Sequence, residues 1–315
     1  MATVPSDPTA VAALAQRLAG NITRAVKVPE GVLRNVIVAL LAEGHVLIED
    51  YPGVGKTALA RALARSIDAE YARLQCTADM LPGDVVGTNV YNQRENRFEF
   101  RPGPIFANVV LVDEINRASP KTQSGLLECM QERHVTVDVA THEIARPFMV
   151  IATQNPIEYE GTFPLPEAQL DRFMVLLRLG YPSPSDEAEM LAEHAASDRV
   201  LELEPVAEVA EVLDAQAAVA RVHASEPLRR YVVAVLERTR EDTRTELGAS
   251  PRAGLMLLKA AKALAAIEGR DHTLPDDVQA LAVHVLTHRL LLAPDAVGVE
   301  RADVVRDALE RVPAL

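Results

Sequence analysis

The chain has 315 residues, with 32 basic and 45 acidic side chains and a formal charge of −13. At about 150 residues per domain this length suggests roughly two domains, and a composition of 49% apolar and 24% charged residues excludes a disordered or low-complexity chain. Two cysteines, Cys76 and Cys129, are too few for a disulfide scaffold, and no apolar run approaches the roughly 20 residues of a membrane helix.

Residues 1–20 carry Asp7 and Arg17 but no basic leader, so no signal peptide is expected and the reading is cytoplasmic. Short β-rich runs then occupy 45–49, 71–75, 109–112, 148–153 and 174–179, separated by helix-length segments. Such alternation predicts an α/β fold with a mainly parallel five-stranded sheet covered on both faces. After Tyr181-Pro182-Ser183-Pro184-Ser185 the pattern turns helical, as at 228–239, 253–268 and 275–292. The expected division is a core over 1–182 and a smaller all-helical domain over 183–315.

The stretch 183–214 sets Asp186, Glu187, Glu189, Glu193, Asp198, Glu202, Glu204, Glu208, Glu211 and Asp214 against Arg199 alone. It reads as a solvated helix face or as a docking face for a basic partner. Nucleic acid is not an expected partner, because neutralising phosphate needs basic runs that this chain lacks.

The strongest motif is His45-Val-Leu-Ile-Glu-Asp50-Tyr-Pro52-Gly53-Val54-Gly55-Lys56-Thr57-Ala58. A buried strand enters a Pro/Gly loop that opens a helix. Gly53 and Gly55 can take the positive φ that turns successive amides inward as a phosphate nest. Lys56 would reach the β and γ phosphates, and the Thr57 hydroxyl would ligate Mg²⁺. Asp50 stands where the G-x-x-x-x-G-K-[ST] pattern has glycine; a carboxylate there repels phosphate unless it points away or is paired.

The run 108–112 ends in Asp113-Glu114. Neighbouring strand side chains point to opposite faces, so the two carboxylates can serve different centres. Asp113 suits the Mg²⁺ shell. Glu114 suits polarising the water that attacks a γ-phosphate. Asn155 follows the run 148–153, and ligands of doubly wound sheets sit beyond strand carboxyl ends. In Ser250-Pro251-Arg252, Ser250 reads as an N-cap and Pro251 as the first helical residue. Arg252 then opposes the helix dipole and calls for an anionic neighbour. Arg172 can serve a neighbouring subunit's phosphate in a ring, or pair with Asp171 or Glu167.

Taken together, 44–49 with the Pro/Gly loop, Asp113 to Ala118 with Pro120 to Gln123, 152–156, 162–173 and 248–253 resemble the MoxR-type AAA+ ATPases. The resemblance covers about residues 44–253. It implies Lys56 and Thr57 in Walker A, Asp113 and Glu114 in Walker B, Asn155 as sensor 1, Arg172 as arginine finger and Arg252 as sensor 2. It further implies a helical lid and two β-hairpin inserts, matched here by 84–102 and 134–146, which are expected to touch a client.

The expected activity is Mg²⁺-dependent ATP hydrolysis by a homo-oligomer, implied by the resemblance to be a hexameric ring. Its role would be chaperone-like maturation of partner proteins, such as those with von Willebrand factor A domains. A slow nucleotide-switched binding module and a subunit of a metal-chelatase-like complex are the alternatives.

Overall fold

The structure is a computed structural model and describes residues 8–51, 53–138, 140–155, 161–181, 184–185, 187 and 199–314. Pro52 of the Pro/Gly loop, the expected boundary at 182 and the acidic positions Asp186, Glu189, Glu193 and Asp198 lie outside them.

Two helices open the described chain, α1 (Pro8–Thr23) and α2 (Glu30–Leu41). Five strands, β1 (Val46–Glu49), β2 (Tyr71–Gln75), β5 (Val109–Asp113), β8 (Met149–Gln154) and β9 (Val175–Leu177), form one sheet in the order β2-β5-β8-β1-β9. Every pairing in it is parallel. Every residue of β5 is buried, as a strand covered on both faces requires. Alternate side chains feed two apolar clusters: Val46, Ile48, Val109, Leu111, Met149 and Ile151 pack on one face, and Leu47, Val110, Val112, Val150 and Ala152 on the other.

The first face is covered by α1, α2 and α3 (Lys56–Ser66). Its apolar cluster runs on into the later helices α7 (Val209–Arg221), α8 (Glu226–Glu241), α9 (Pro251–Ile267), α10 (Pro275–Leu286) and α11 (Arg301–Arg311). Buried residues of α1 recur at helical spacing, Val11, Leu14, Ala15, Leu18 and Ile22. The helix packs against both α3 and α9. The opposite face carries α5 (Pro120–Glu132) and the short helices α4 (Pro82–Val86) and α6 (Glu167–Leu170).

Both expected hairpins are present. The first pairs β3 (Gly87–Asn92) with β4 (Arg97–Pro102). The second pairs β6 (His134–Val137) with β7 (Ala140–Glu143), closed by Val137↔Ala140. This is a tighter closure than 135–139 against 142–144, because Asp138 takes φ 55° in the turn. Asn89 donates to Asp138 at 2.7 Å and Phe100 stacks on His142 at 3.8 Å, so the hairpins touch.

The expected helix over 275–292 ends at Leu286. A short 3-10 turn, Thr287–Arg289, swings His288 and Arg289 onto backbone carbonyls near β9. Leu291–Leu292 (β11) then pairs with Thr245–Leu247 (β10).

Candidate functional site

Gly53 and Gly55 hold φ of 86° and 90°, and a Cβ on either would meet nothing closer than 4.0 Å. Glycine is therefore needed there for conformation rather than for space. Gly55 is the N-cap of α3, with no side-chain cap bond. Among the described residues the first-turn N–H groups thus have no side-chain acceptor, which leaves them able to receive an anion. Val54 is buried, which anchors the loop, while Lys56, Thr57 and Ala58 are half-buried.

Lys56 Nζ donates to the Asp50 carbonyl oxygen at 2.9 Å. Burial pulls its pKa down, against the raising pull of Asp50, Asp113 and Glu114. The Asp50 carboxylate itself is turned to the other side. Its Oδ1 accepts the Tyr51 N–H at 2.9 Å, and its Oδ2 accepts those of Leu179 at 2.6 Å and Gly180 at 2.7 Å. The repulsion foreseen at this position is met by three backbone donors.

At the end of β5, Asp113 is buried and Glu114 adopts φ 54°, ψ 51°. A non-glycine residue in this region is uncommon and turns its side chain out of the strand alternation. The Glu114 N–H donates to Thr153 Oγ1 at 3.0 Å, and that hydroxyl donates to Asp113 Oδ1 at 3.2 Å. Arg73 Nε donates to Asp113 Oδ2 at 2.7 Å. Gln75 Nε2 and Arg117 Nη1 both donate to Glu114 Oε2, at 3.0 and 3.1 Å.

Strand register brings these groups together. Glu49 lies opposite Gln154, the Asp50 N–H donates to the Gln154 carbonyl, and Gln75 lies opposite Asp113. Asn155 follows directly, so the Pro/Gly loop, Asp113, Glu114 and Asn155 all sit at carboxyl ends of neighbouring parallel strands. Among the described residues no group of three or more His, Cys, Asp or Glu side chains could hold a metal by itself. The Thr57 hydroxyl and the Asp113 carboxylate, whose oxygens also accept bonds from Thr153 and Arg73, are oxygen donors of the kind Mg²⁺ takes, a hard cation that keeps several waters and takes substrate phosphates with one or two protein ligands.

Arg172 lies just past α6, half-buried, and its side chain has no carboxylate partner among the described residues. Asp171 is engaged elsewhere: it accepts Arg289 Nε at 2.7 Å and the Ser250 hydroxyl at 3.3 Å. Ser250 also caps α9 by accepting the Ala253 N–H, with Pro251 in the first turn, as expected. Arg252, two residues beyond Ser250, donates to Gln131 of α5 at 3.2 Å. No hydrogen bond or ion pair joins it to the Pro/Gly loop among the described residues.

Sequence reasoning passed over Arg73, Gln75, Arg117, Thr153 and Arg289. Arg73 and Gln75 are polar residues two apart near the end of a strand, a pattern that points to one face. Only the neighbouring strand's identity turns that into a contact with Asp113-Glu114. His45, inside the strongest motif, is a core residue. It is 5% exposed, accepts the Val150 N–H at Nδ1 and thus donates from Nε2 to the Met130 carbonyl.

The family model for the ATPase family associated with various cellular activities (AAA) matches residues 45–175, and an AAA lid domain model matches 237–308. The chain is 50% identical to YeaC, an uncharacterized protein of Bacillus subtilis, over 88% of this chain and 87% of that one. It is 40% identical to chaperone MoxR1 of Mycobacterium tuberculosis, over 90% of this chain and 78% of that one. A crystal structure from Cytophaga hutchinsonii, provisionally described as an ATPase, superposes with a TM-score of 0.91 at 34% identity, covering 98% of this chain and 97% of that one.

Proposed function

Because the chain belongs to the MoxR-type AAA+ ATPases, we propose that it binds ATP with Mg²⁺ beyond the sheet's carboxyl edge and hydrolyses it to drive maturation or activation of partner proteins. One observation supports this reading: the first turn of α3 with its Lys56 ammonium, the Asp113-Glu114 pair and Asn155 all follow the carboxyl ends of neighbouring parallel strands.

In this reading the N–H groups of Gly53, Val54 and Gly55 cradle the phosphates, together with Pro52 and the first turn through Ala58. Lys56 leaves the Asp50 carbonyl for the β and γ phosphates. Thr57 and Asp113 hold Mg²⁺, which when bound neutralises charge on the β and γ oxygens. Glu114 takes up the proton side of the attacking water, and Asn155 orients it. Arg172, without an ion-pair partner among the described residues, is offered from a domain edge to a neighbouring subunit's phosphate, and Arg252 at the start of α9 serves the γ-phosphate as sensor.

The arrangement calls for a ring, which we take as hexameric, with 1–182 as nucleotide core and 183–315 as helical lid. A chaperone-like role agrees with the printed name of MoxR1. The joined hairpins, with Tyr91 and Phe98 exposed, suit contact with a protein partner, such as one bearing a von Willebrand factor A domain. A cytoplasmic place is consistent with finding no helix among the described residues long and apolar enough to cross a membrane.

A slow, nucleotide-switched binding module is the second reading. It is favoured by the engagement of Glu114 with Gln75 and Arg117 and of Asp113 with Arg73. Steady-state phosphate release at several protein concentrations separates the two. A ring ATPase with Arg172 acting in trans gains specific activity as subunits assemble, and Arg172→Ala removes that gain. Slow release that is independent of concentration favours the switch.

A further inference from the structure

Asp50 is the one residue of the motif that departs from the phosphate-loop pattern, and its carboxylate is 4% exposed with no cation bonded to it among the described residues. Such a group is costly to bury unless its oxygens are satisfied. Here the successive N–H groups of Leu179 and Gly180 cup a single oxygen, at 2.6 and 2.7 Å, an anion nest built from backbone. Gly180 has φ 70°, and a Cβ on it would meet nothing within 4 Å. The glycine therefore serves the turn that aims those amides at Asp50.

One residue further along, Tyr51 and Tyr181 stack with ring centroids 5.5 Å apart and planes 14° from parallel. Positions 50–51 and 179–181 are thus clamped twice. The second of these segments is where the chain leaves β9 and heads toward its C-terminal helices.

The far end of α3 is tied to a later part of the chain, at 203–207. The Ser66 carbonyl accepts the N–H groups of Val206 and Ala207 at 3.0 and 3.1 Å, and Arg65 Nε donates to the Leu203 carbonyl at 3.1 Å. The entry to the loop that leads into α3, and the far end of α3, are thus both bonded to the chain that follows β9. Lys56 itself rests on the Asp50 carbonyl, a bond it must give up to reach a phosphate.

We propose that Asp50 is a positioning residue: its carboxylate fastens the phosphate loop to the Leu179–Gly180 turn, so that filling the loop is relayed to the C-terminal helices. The inference rests on the loop being the nucleotide site. When Lys56 lets go of the Asp50 carbonyl, the carboxylate stays bonded to the turn, and loop and turn move as one piece. The helices respond because the two states of Lys56 differ in a contact, which is the differential interaction such coupling needs.

The test compares wild type, Asp50→Gly, Asp50→Asn and Tyr181→Ala. It measures kcat, KM and amide exchange over 203–221, with and without the β,γ-imido analogue of ATP and Mg²⁺. Glycine keeps the backbone carbonyl that Lys56 uses and matches the loop pattern, so KM for Asp50→Gly stays within about threefold, while kcat falls about tenfold or more. In wild type the analogue changes exchange over 203–221; in Asp50→Gly that change disappears. Asp50→Asn, whose carboxamide oxygen still accepts N–H bonds, recovers at least about half of kcat. A purely structural role would not separate kcat from KM or be rescued in this way.

Asp50→Gly with kcat within about twofold of wild type and an unchanged exchange response overturns the inference. Should that variant fail to fold, exposed Tyr181→Ala decides. A weakened exchange response upholds the clamp, and an unchanged one overturns it. Wild type that binds the analogue without any change over 203–221 sinks the relay alone. Wild type that binds no nucleotide sinks the functional reading and the relay with it.

Discussion

Arg73 Nε lies 2.7 Å from Asp113 Oδ2, bridging the β2–β5 pair of the sheet. The carboxylate proposed to serve Mg²⁺ therefore already has a cation on one oxygen, while its other oxygen takes the Thr153 hydroxyl. Arg73 is half exposed, so the pair is screened and contributes little to stability. Its consequence is competition for the metal. Arg73→Gln lowers the Mg²⁺ concentration for half-maximal ATPase activity by about threefold or more; a titration that is unchanged or shifted upward contradicts the competition.

Glu114 is held by Gln75, Arg117 and its own left-handed backbone, and among the described residues it has no hydrogen bond to the loop proposed to grip phosphate. Binding and hydrolysis are consequently separable. Glu114→Gln keeps nucleotide affinity and lowers turnover about 10²-fold or more, the scale for lost transition-state contacts. Equal losses in affinity and turnover would place Glu114 in binding instead.

Arg289 is almost fully buried, donating to Asp171 Oδ1 at 2.7 Å and to the carbonyls of Phe173 at 2.6 Å and Asp171 at 3.2 Å, among others. Desolvation draws its pKa down to about 10, against the pull of Asp171. Removing one partner of a buried, hydrogen-bonded ion pair costs about 3–5 kcal/mol. Arg289→Met therefore lowers unfolding stability by that amount in denaturant titration and loosens the segment that presents Arg172. A loss below about 1 kcal/mol would mean that the pair is not buried in solution.

The two core histidines give stability a defined pH response. Desolvation holds His45 down to about 4 from 6.5, opposed by its bond to the Met130 carbonyl, and it holds His288 well below 6.5. Between the lowered and ordinary values the unfolded chain binds protons that the native chain does not. Stability is full above pH 6.5 and falls as pH drops toward 4, by on the order of 3 kcal/mol for His45. Denaturant midpoints at pH 7 and 4.5 check this: His45→Gln shows a smaller drop than wild type. Parallel drops would assign the acid sensitivity elsewhere.

The five strands and the Pro/Gly loop were legible because their signals are local. Continuous apolar runs such as Val109 to Val112, and glycines at the two positive-φ positions of the loop, announce themselves within a few residues. The destination of the Asp50 carboxylate was not legible, since Leu179 and Gly180 are about 130 residues away in the chain and the bond uses backbone amides that carry no sequence signature. Arg289 and Asp171 escaped for the same reason. So did the packing of α1 against α9, which depends on two helices from opposite ends of the chain sharing one apolar cluster. At 275–292 helical spacing persisted after the helix had ended, because tertiary bonds to Phe173 outweigh local propensity there.

The proposed activity requires a triphosphate gripped between the glycines of the loop and the ammonium of Lys56. Titration calorimetry of ATP with Mg²⁺ into wild type and Lys56→Ala examines that most directly. The account predicts saturable binding to wild type and none to Lys56→Ala. Equal affinity in both proteins, or no heat in either, would contradict it.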